Sequence, residues 1–298
     1  MPRLTSVASL LKDPPPVYAF ELSEAGVAAA QVGRTPKISF APIEKDVISI
    51  SPVHDNVLRL EALLAQVRAV APAEGGRKRR RAALILPDYA VRVTVLDFDA
   101  FPTDAKEQAA LVRFRMKRSV PFDVDSAAMS YYPQREEGDG KRVDVVVAIA
   151  PREIVARYEM PFRMAGFHVG WVTTSTLGAM DLVTPVGVKV LAKRAGRVLS
   201  LAVLAGGTLK LIRSIELTDF TPGEIAGHLH PTLAYVEDQL AAIPDVVVLC
   251  GFGEDSESAR LWLESELQIR VVTLVTPQGE PGEYSAGLSG YLESLKES

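Results

Sequence analysis

Reactive side chains are scarce in this chain, and their spacing excludes most chemistry. There are four histidines and one cysteine in 298 residues. His228 and His230 stand two apart in PGEIAGHLHPTLAYVEDQL (222–240), a stretch with helical spacing. Residues two apart on a helix point to different faces, so these two cannot chelate one ion. Glu224 and His228 share a face there and read as a surface pair. His54 and His168 stand alone. Cys250 closes the apolar run DVVVLC and reads as a core thiol rather than a nucleophile. No nucleophile, base and acid fall into the pattern of a hydrolase. A single cysteine also excludes an internal disulfide and a multi-cysteine zinc site.

The densest charge is the run Arg77, Lys78, Arg79, Arg80 and Arg81, just after Gly75 and Gly76. Such a run reads as a solvated loop between a helix and a buried strand. The functional alternative is contact with anionic lipid or an acidic partner, where each Lys or Arg contributes about 1 kcal/mol. No aromatic residues accompany the run for base stacking, and the net charge is −4, so nucleic acid is not an expected partner.

These groups must be positioned by an α/β chain. Hydrophobic residues make up 48% and charged residues 23%, which suits globular cores. No apolar run reaches the ~20 residues that span a bilayer, and the N-terminal apolar patch is short for a signal peptide. A cytoplasmic protein is expected. Pro14, Pro15 and Pro16 end a flexible lead, 1–16.

Residues 17–32 read as a hairpin around Ser23–Gly26, and 38–50 as a further strand. The apolar spacing of 57–70 predicts a helix, with Asp55 or Asn56 as its cap. ALIL (83–86) reads as a buried strand, VRVTVLDF (91–98) as a half-exposed one. Thr103 or Asp104 caps a helix over 105–120 that Pro121 stops. Strands at 126–132 and 143–150, a helix over 151–167, a strand over 168–174 and a buried helix over 175–183 follow.

TPVGVKVLAKRAGRV (184–198) reads as a connection, which puts a hinge near residue 195 and divides the chain into 17–195 and 196–298. Beyond it, 199–217 is a hairpin turning at Gly206–Gly207. Thr221 caps a helix that Pro231 is expected to kink or break. DVVVLCGFGEDS (245–256) is a buried strand entering a glycine turn, followed by a helix (257–267), a strand (269–275) and a terminal helix (283–296).

The run LPDYAVRVTVLDFDAFPTDAKEQAALVRFRMKRSVPFDVDSAAMSYY (86–132) resembles the PilM-like, actin-like proteins of type IV pilus machines. It has their strand ending in a proline, then a helix closed by Pro-Phe, here Pro102, Pro121 and Phe122. The stretches VVVLCGFGEDSESARLWLESELQIRVV and YSAGLSGYL are also similar to that family, to which the cytoplasmic part of GspL of type II secretion is related. The resemblance implies an actin-like (ribonuclease H-like) α/β fold of two lobes, with a subdomain of about 91–168 inserted in the first. It implies ATP and Mg between the lobes. It also implies a groove on the first lobe for the N-terminal cytoplasmic tail of a PilN-like membrane protein.

The nucleotide motifs are eroded. Where the family carries an Asp and a Gly in its first phosphate hairpin, this chain has Glu21 and Ser23. The second phosphate hairpin is expected at 199–217, with no acid in its first strand and Gly206 and Gly207 at the turn. The adenosine turn survives as Gly251-Phe252-Gly253. Only a few residues separate Leu217 from the next helix, where relatives hold a subdomain, so the second lobe is expected to be reduced. The expected function is therefore a non-catalytic scaffold at the inner-membrane face, without cofactor, peripherally membrane-associated and with self-association open. The alternative is an ATPase using Glu21 with ATP and Mg.

Overall fold

The computed structural model describes residues 15–33, 36–71, 80–134, 142–277 and 279–296. Its first sheet begins with β1 (Tyr18–Leu22), β2 (Gly26–Gln31) and β3 (Ser39–Pro42), antiparallel neighbours. The third strand is shorter than expected, because Pro42 has no amide to extend a ladder and Asp46 turns the chain with φ 62°. Helix α1 (Leu60–Val70) leads into β4 (Arg80–Leu86), which lies parallel to β1.

All five residues of β1 are buried, and alternation gives them two destinations. Tyr18, Phe20 and Leu22 enter the core under α1, where the Phe20 ring lies 4.9 Å from Phe162 and 5.0 Å from Phe167. Ala19 and Glu21 face the other way. Helix α1 starts three residues later than expected and has no side-chain cap. Asn56 is instead fully buried, where its amide holds the backbone of Ser51 and His54 and its carbonyl oxygen accepts from Tyr158 Oη at 3.0 Å.

The chain then leaves this sheet. Strand β5 (Arg92–Phe98), helix α2 (Ala105–Met116), β6 (Ala128–Gln134) and β7 (Val143–Ala150) form a separate three-stranded sheet ordered β5-β7-β6. Asp104 caps α2, accepting from the amides of Lys106 and Glu107 at 2.9 and 3.0 Å. The helix ends at Met116, short of Pro121, and its Val112 and Met116 pack on Val145, Val147 and Ile149. Helix α3 (Arg152–Met164) and β8 (Phe167–Thr174) belong to the first sheet again, so the insertion closes at residue 150 rather than near 168. The first sheet reads β3-β2-β1-β4-β8.

After β8 come α4 (Ser175–Ala179), β9 (Val188–Ala195), β10 (Val198–Ala205), β11 (Thr208–Glu216), α5 (Pro222–Leu240), β12 (Val246–Cys250), α6 (Ser256–Leu267), β13 (Val271–Thr273) and α7 (Ala286–Ser294). The second sheet reads β11-β10-β9-β12-β13. Its pairing senses repeat the first: β9 is antiparallel to β10, β10 to β11, and β9 and β12 run parallel to their neighbours β12 and β13. The two lobes are thus the same topological unit twice. The stretch expected to be a hinge near 195 is β9 itself, the central strand, and the crossing between lobes comes earlier, after α4. Residues 217–221 alone join β11 to α5, which leaves the second lobe without an inserted subdomain at that point. Helix α5 runs unbroken through Pro231, with the neighbouring His228 carbonyl held by Arg213 Nη2 and Thr232 Oγ1.

The lobes are tied by exchanged helices. Helix α4 follows the first sheet but packs Ala179, with Met180 after it, on the second. Helix α7 follows the second sheet but packs Leu288, Tyr291 and Leu292 on the first, over the small side chains Ala19, Ala28, Ala30 and Ala83. They cross through glycine: a Cβ on Gly290 would stand 1.9 Å from the Gly178 carbonyl oxygen, and one on Gly287 would stand 2.7 Å from the Ser175 Cα. The inserted sheet also grips the second lobe. Gln134 donates to the Leu209 carbonyl and accepts from its amide at 2.7 and 2.8 Å, beside a Lys210–Asp144 ion pair of 3.0 Å.

Candidate functional site

The β1–β2 turn and the β9–β10 turn face each other across the cleft between the lobes, and both line one small cavity. Glu21 and Ser23 come from the first turn. Gly196 comes from the second, with Lys193 on the strand leading into it. The second phosphate hairpin expected at 199–217 is therefore displaced by one strand. In the repeated topology, β1 corresponds to β9, so the counterpart turn is Gly196–Arg197. Gly206 and Gly207 lie at the opposite end of the sheet, beside Gly187 and Pro185.

The centre of the cleft is a buried ionic cluster. Lys193 is fully buried, and its Nζ lies 3.1 Å from Asp88 Oδ2. The Asp88 carboxylate also accepts from the Thr176 amide and hydroxyl, each at 2.7 Å. Glu21, 2% exposed, accepts from the Ser175 hydroxyl and, at 2.7 Å, from the Leu288 amide at the start of α7. Burial pushes the Glu21 carboxyl above its ordinary value, against the lowering pull of Lys193, Ser175 and Leu288. Burial alone would lower the Lys193 ammonium, but Asp88 and Glu21 outweigh it and the amine ends above the ordinary lysine value. Cys250 faces the same cluster. Burial raises its thiol to about 12, which keeps it protonated and unreactive.

The turns are satisfied from within. Ser23 Oγ closes its own turn, donating to the Gly26 carbonyl and accepting from the Gly26 amide at 3.1 Å. The Gly196 amide donates to Glu283 Oε1 at 2.8 Å. Gly251 has φ 78°, and a Cβ there would meet the Arg194 carbonyl at 2.5 Å, so this glycine admits the second lobe's own backbone. Between Gly251 and Gly253, Phe252 is buried against Phe220, and the Arg194 guanidinium stacks on the Phe220 ring at 4.1 Å. Arg194 further pairs with Asp255 at 3.0 Å and Glu283 at 3.4 Å. What remains is a cavity of about 20 Å³, room for about one water, against the ~300–1,000 Å³ of ordinary ligand pockets. Among the described residues, no group of three or more His, Cys, Asp or Glu side chains could hold a metal.

Of the basic run, Arg77, Lys78 and Arg79 lie outside the described residues. Arg80 is the first residue of β4 and turns inward. Its guanidinium stacks on Phe167 at 4.0 Å and on Tyr18 at 5.2 Å, and it donates to the Ala71 and Ala165 carbonyls. Arg81 is half-buried in the same strand. Both lie in β4, between β1 and β8. Glu224 is occupied by the amides of Thr218, Asp219 and Phe220, which hold its carboxyl below the usual range.

A larger opening lies elsewhere, between the first sheet and the inserted sheet. It is an apolar groove of about 390 Å³. One wall is β6, the edge of the inserted sheet; another is β8, the edge of the first sheet; α4 and α7 form the floor. Edge strands leave a row of amides and carbonyls unpaired. Trp171 packs against Tyr291 in the wall, ring centroids 4.9 Å apart and planes tilted by 32°. Thr174 is 2% exposed, lines the groove, and its Oγ1 has no hydrogen-bond partner.

Sequence reasoning found Glu21 and Ser23 but missed Lys193, Asp88, Ser175, Thr176, Glu283 and Thr174. Lys193 sits in a basic, glycine-flanked stretch that resembles a linker. The available signal was the alternation Val188, Val190, Ala192 around it.

Two sheets of identical order, an insertion in the first and helices exchanged across the cleft define an actin-like fold. No family model and no curated relative matches the chain. Solved structures do. A chain of the PilM–PilN type IV pilus biogenesis complex matches with a TM-score of 0.75 at 17% identity, covering 94% of this chain and 99% of that one. A Bacteroides thetaiotaomicron protein of unknown function with an actin-like ATPase fold gives 0.58 at 14%, covering 92% and 94%. The cytoplasmic domain of EpsL, an inner-membrane component of the Vibrio cholerae type II secretion system, gives 0.52 at 14%, covering 94% and 95%. The PilM-like resemblance read from the sequence is thus matched in fold.

Proposed function

We propose that the chain is a non-catalytic, PilM-like scaffold of a type IV pilus or related secretion machine. Its groove between β6 and β8 holds the N-terminal cytoplasmic tail of a PilN-like membrane protein. The observation that carries this reading is the groove itself: an apolar trough flanked by two strand edges that are unpaired among the described residues, with the buried, unpartnered Thr174 hydroxyl in its wall. An extended peptide supplies main-chain hydrogen bonds to such an edge and places alternate side chains in the trough. The likeness to a PilM–PilN complex supports the kind of partner. No helix among the described residues is long and apolar enough to cross a membrane, so the tail would bring the protein to the inner-membrane face.

Isothermal titration of the full chain with the tail peptide of the neighbouring PilN-like protein tests this. Binding is expected, and Val172→Glu is expected to weaken it at least about tenfold, the equivalent of ~1.4 kcal/mol. Val172 lines the groove at 38% exposure, so the substitution spares the core. Absence of binding at millimolar peptide, or full affinity in Val172→Glu, would remove the reading.

A further inference from the structure

The resemblance implies magnesium and a nucleotide in the cleft, and the side chains there do not suit them. A cation would meet the Lys193 ammonium, already paired with Asp88. A phosphate at the β9–β10 turn would meet the Glu283 carboxylate, already on the Gly196 amide. The Ser23 hydroxyl and the Gly26 amide satisfy each other. Arg194 and Phe252 fill the space beside the adenosine turn.

We propose that the cleft is self-liganded: Lys193 and Glu283 supply from within the chain the positive and negative charges that a cation and a phosphate supply in a loaded cleft, and Lys193, paired with Asp88 of the first lobe, holds the lobes closed without any ligand. The contacts are spread over both lobes. Lys193 comes from β9 and Asp88 from the end of the first lobe's β4. Thr176 and Ser175 come from α4, and Leu288 from α7. Removing Lys193 alone would strand Asp88 and Glu21 in an apolar interior, which is far more costly than removing the whole set. This device stands whether or not the groove takes a peptide, and its test reads stability and amide exchange rather than peptide binding.

The test compares the full wild-type chain with Lys193→Met, with the charge-free Glu21→Gln/Asp88→Asn/Lys193→Met chain, and with Glu283→Ala. Thermal unfolding and hydrogen exchange are followed with and without millimolar Mg-ATP. Mg-ATP is expected to leave the wild-type Tm and the exchange of residues 21–26 and 193–197 unchanged. Lys193→Met is expected to lower Tm by roughly 5–15 °C and to speed exchange at both turns. The charge-free chain is expected to recover at least half of that loss. Glu283→Ala is expected to speed exchange of the Gly196 amide about tenfold, the effect of one lost charge-assisted hydrogen bond, while the global Tm changes little. A Tm raised by Mg-ATP, a Lys193→Met chain as stable as wild type, a charge-free chain no more stable than Lys193→Met, or an unchanged Gly196 amide would each overturn the proposal.

Discussion

Glu21 occupies the position where a shorter acid is expected to work through metal and water, and burial there raises its carboxyl above the ordinary value. The carboxyl is buried, faces one ammonium that Asp88 already claims, and receives the Ser175 hydroxyl and Leu288 amide. A carboxyl whose folded pKa lies above its unfolded value contributes stability below the unfolded pKa, here 4.5, and loses it as pH rises through the folded one. Wild-type stability should therefore decline from pH 4.5 upward through that raised value. Glu21→Gln keeps an acceptor for Leu288 and an amide for Ser175 but cannot ionise, so its Tm-against-pH profile should be flatter and should lie above wild type at the alkaline end. A parallel pair of profiles would mean that the Glu21 carboxyl has the same pKa folded and unfolded. The sequence showed Glu21 as a misfit in a hairpin; its partners could not be seen, because Asp88, Ser175, Lys193 and Leu288 reach it from four elements spread over most of the chain.

Elements were more legible than their partners. Period-two alternation gave the hairpins and most strands, and Asp104 and Thr221 announced the helices they cap. Failures came where a side chain had a tertiary use that outweighed its local one. Asn56 folds its own loop instead of capping α1, Arg80 stacks on two aromatic rings instead of joining a solvated run, and β9 hides a buried lysine among basic neighbours. The α4–α7 crossing was invisible for another reason: Gly178, Gly287 and Gly290 look like helix-weakening residues until the two backbones touch. Gly290→Ala would place a methyl against the Gly178 carbonyl, an obstruction by backbone that no rotamer relieves. Its expected cost is about 1–3 kcal/mol. Gly227→Ala in α5 meets nothing within 4 Å and should instead stabilise by about 0.4–1 kcal/mol. Denaturant unfolding of the two variants checks both signs, and equal effects would deny that the crossing is tight.

At the scale of the whole molecule, cleft and groove share one short helix. Ser175 and Thr176 open α4 and hold Glu21 and Asp88, while Thr174, Leu177 and Gly178 line the groove on the same turn of chain. If the cleft opens as proposed, the α4 floor of the groove moves with it. Parallel pairings such as β1 with β4 join residues about sixty apart, and no local pattern specifies them, which is why the sequence showed two lobes but not this shared wall. The coupling has a measurable size. If only a closed fraction of molecules is competent, the apparent dissociation constant of the tail peptide rises by the inverse of that fraction, so a variant that is nine-tenths open loses about tenfold. Lys193→Met should thus bind the peptide more weakly although it alters no groove residue. The charge-free triple variant should regain the affinity along with the closure. Linkage also runs in reverse: saturating peptide should slow exchange at residues 193–197 in Lys193→Met and return its cleft toward the wild-type state. Titration and exchange on the same samples decide this. An affinity unchanged in a chain whose cleft exchange has risen would make groove and cleft independent, with α4 rigid between them.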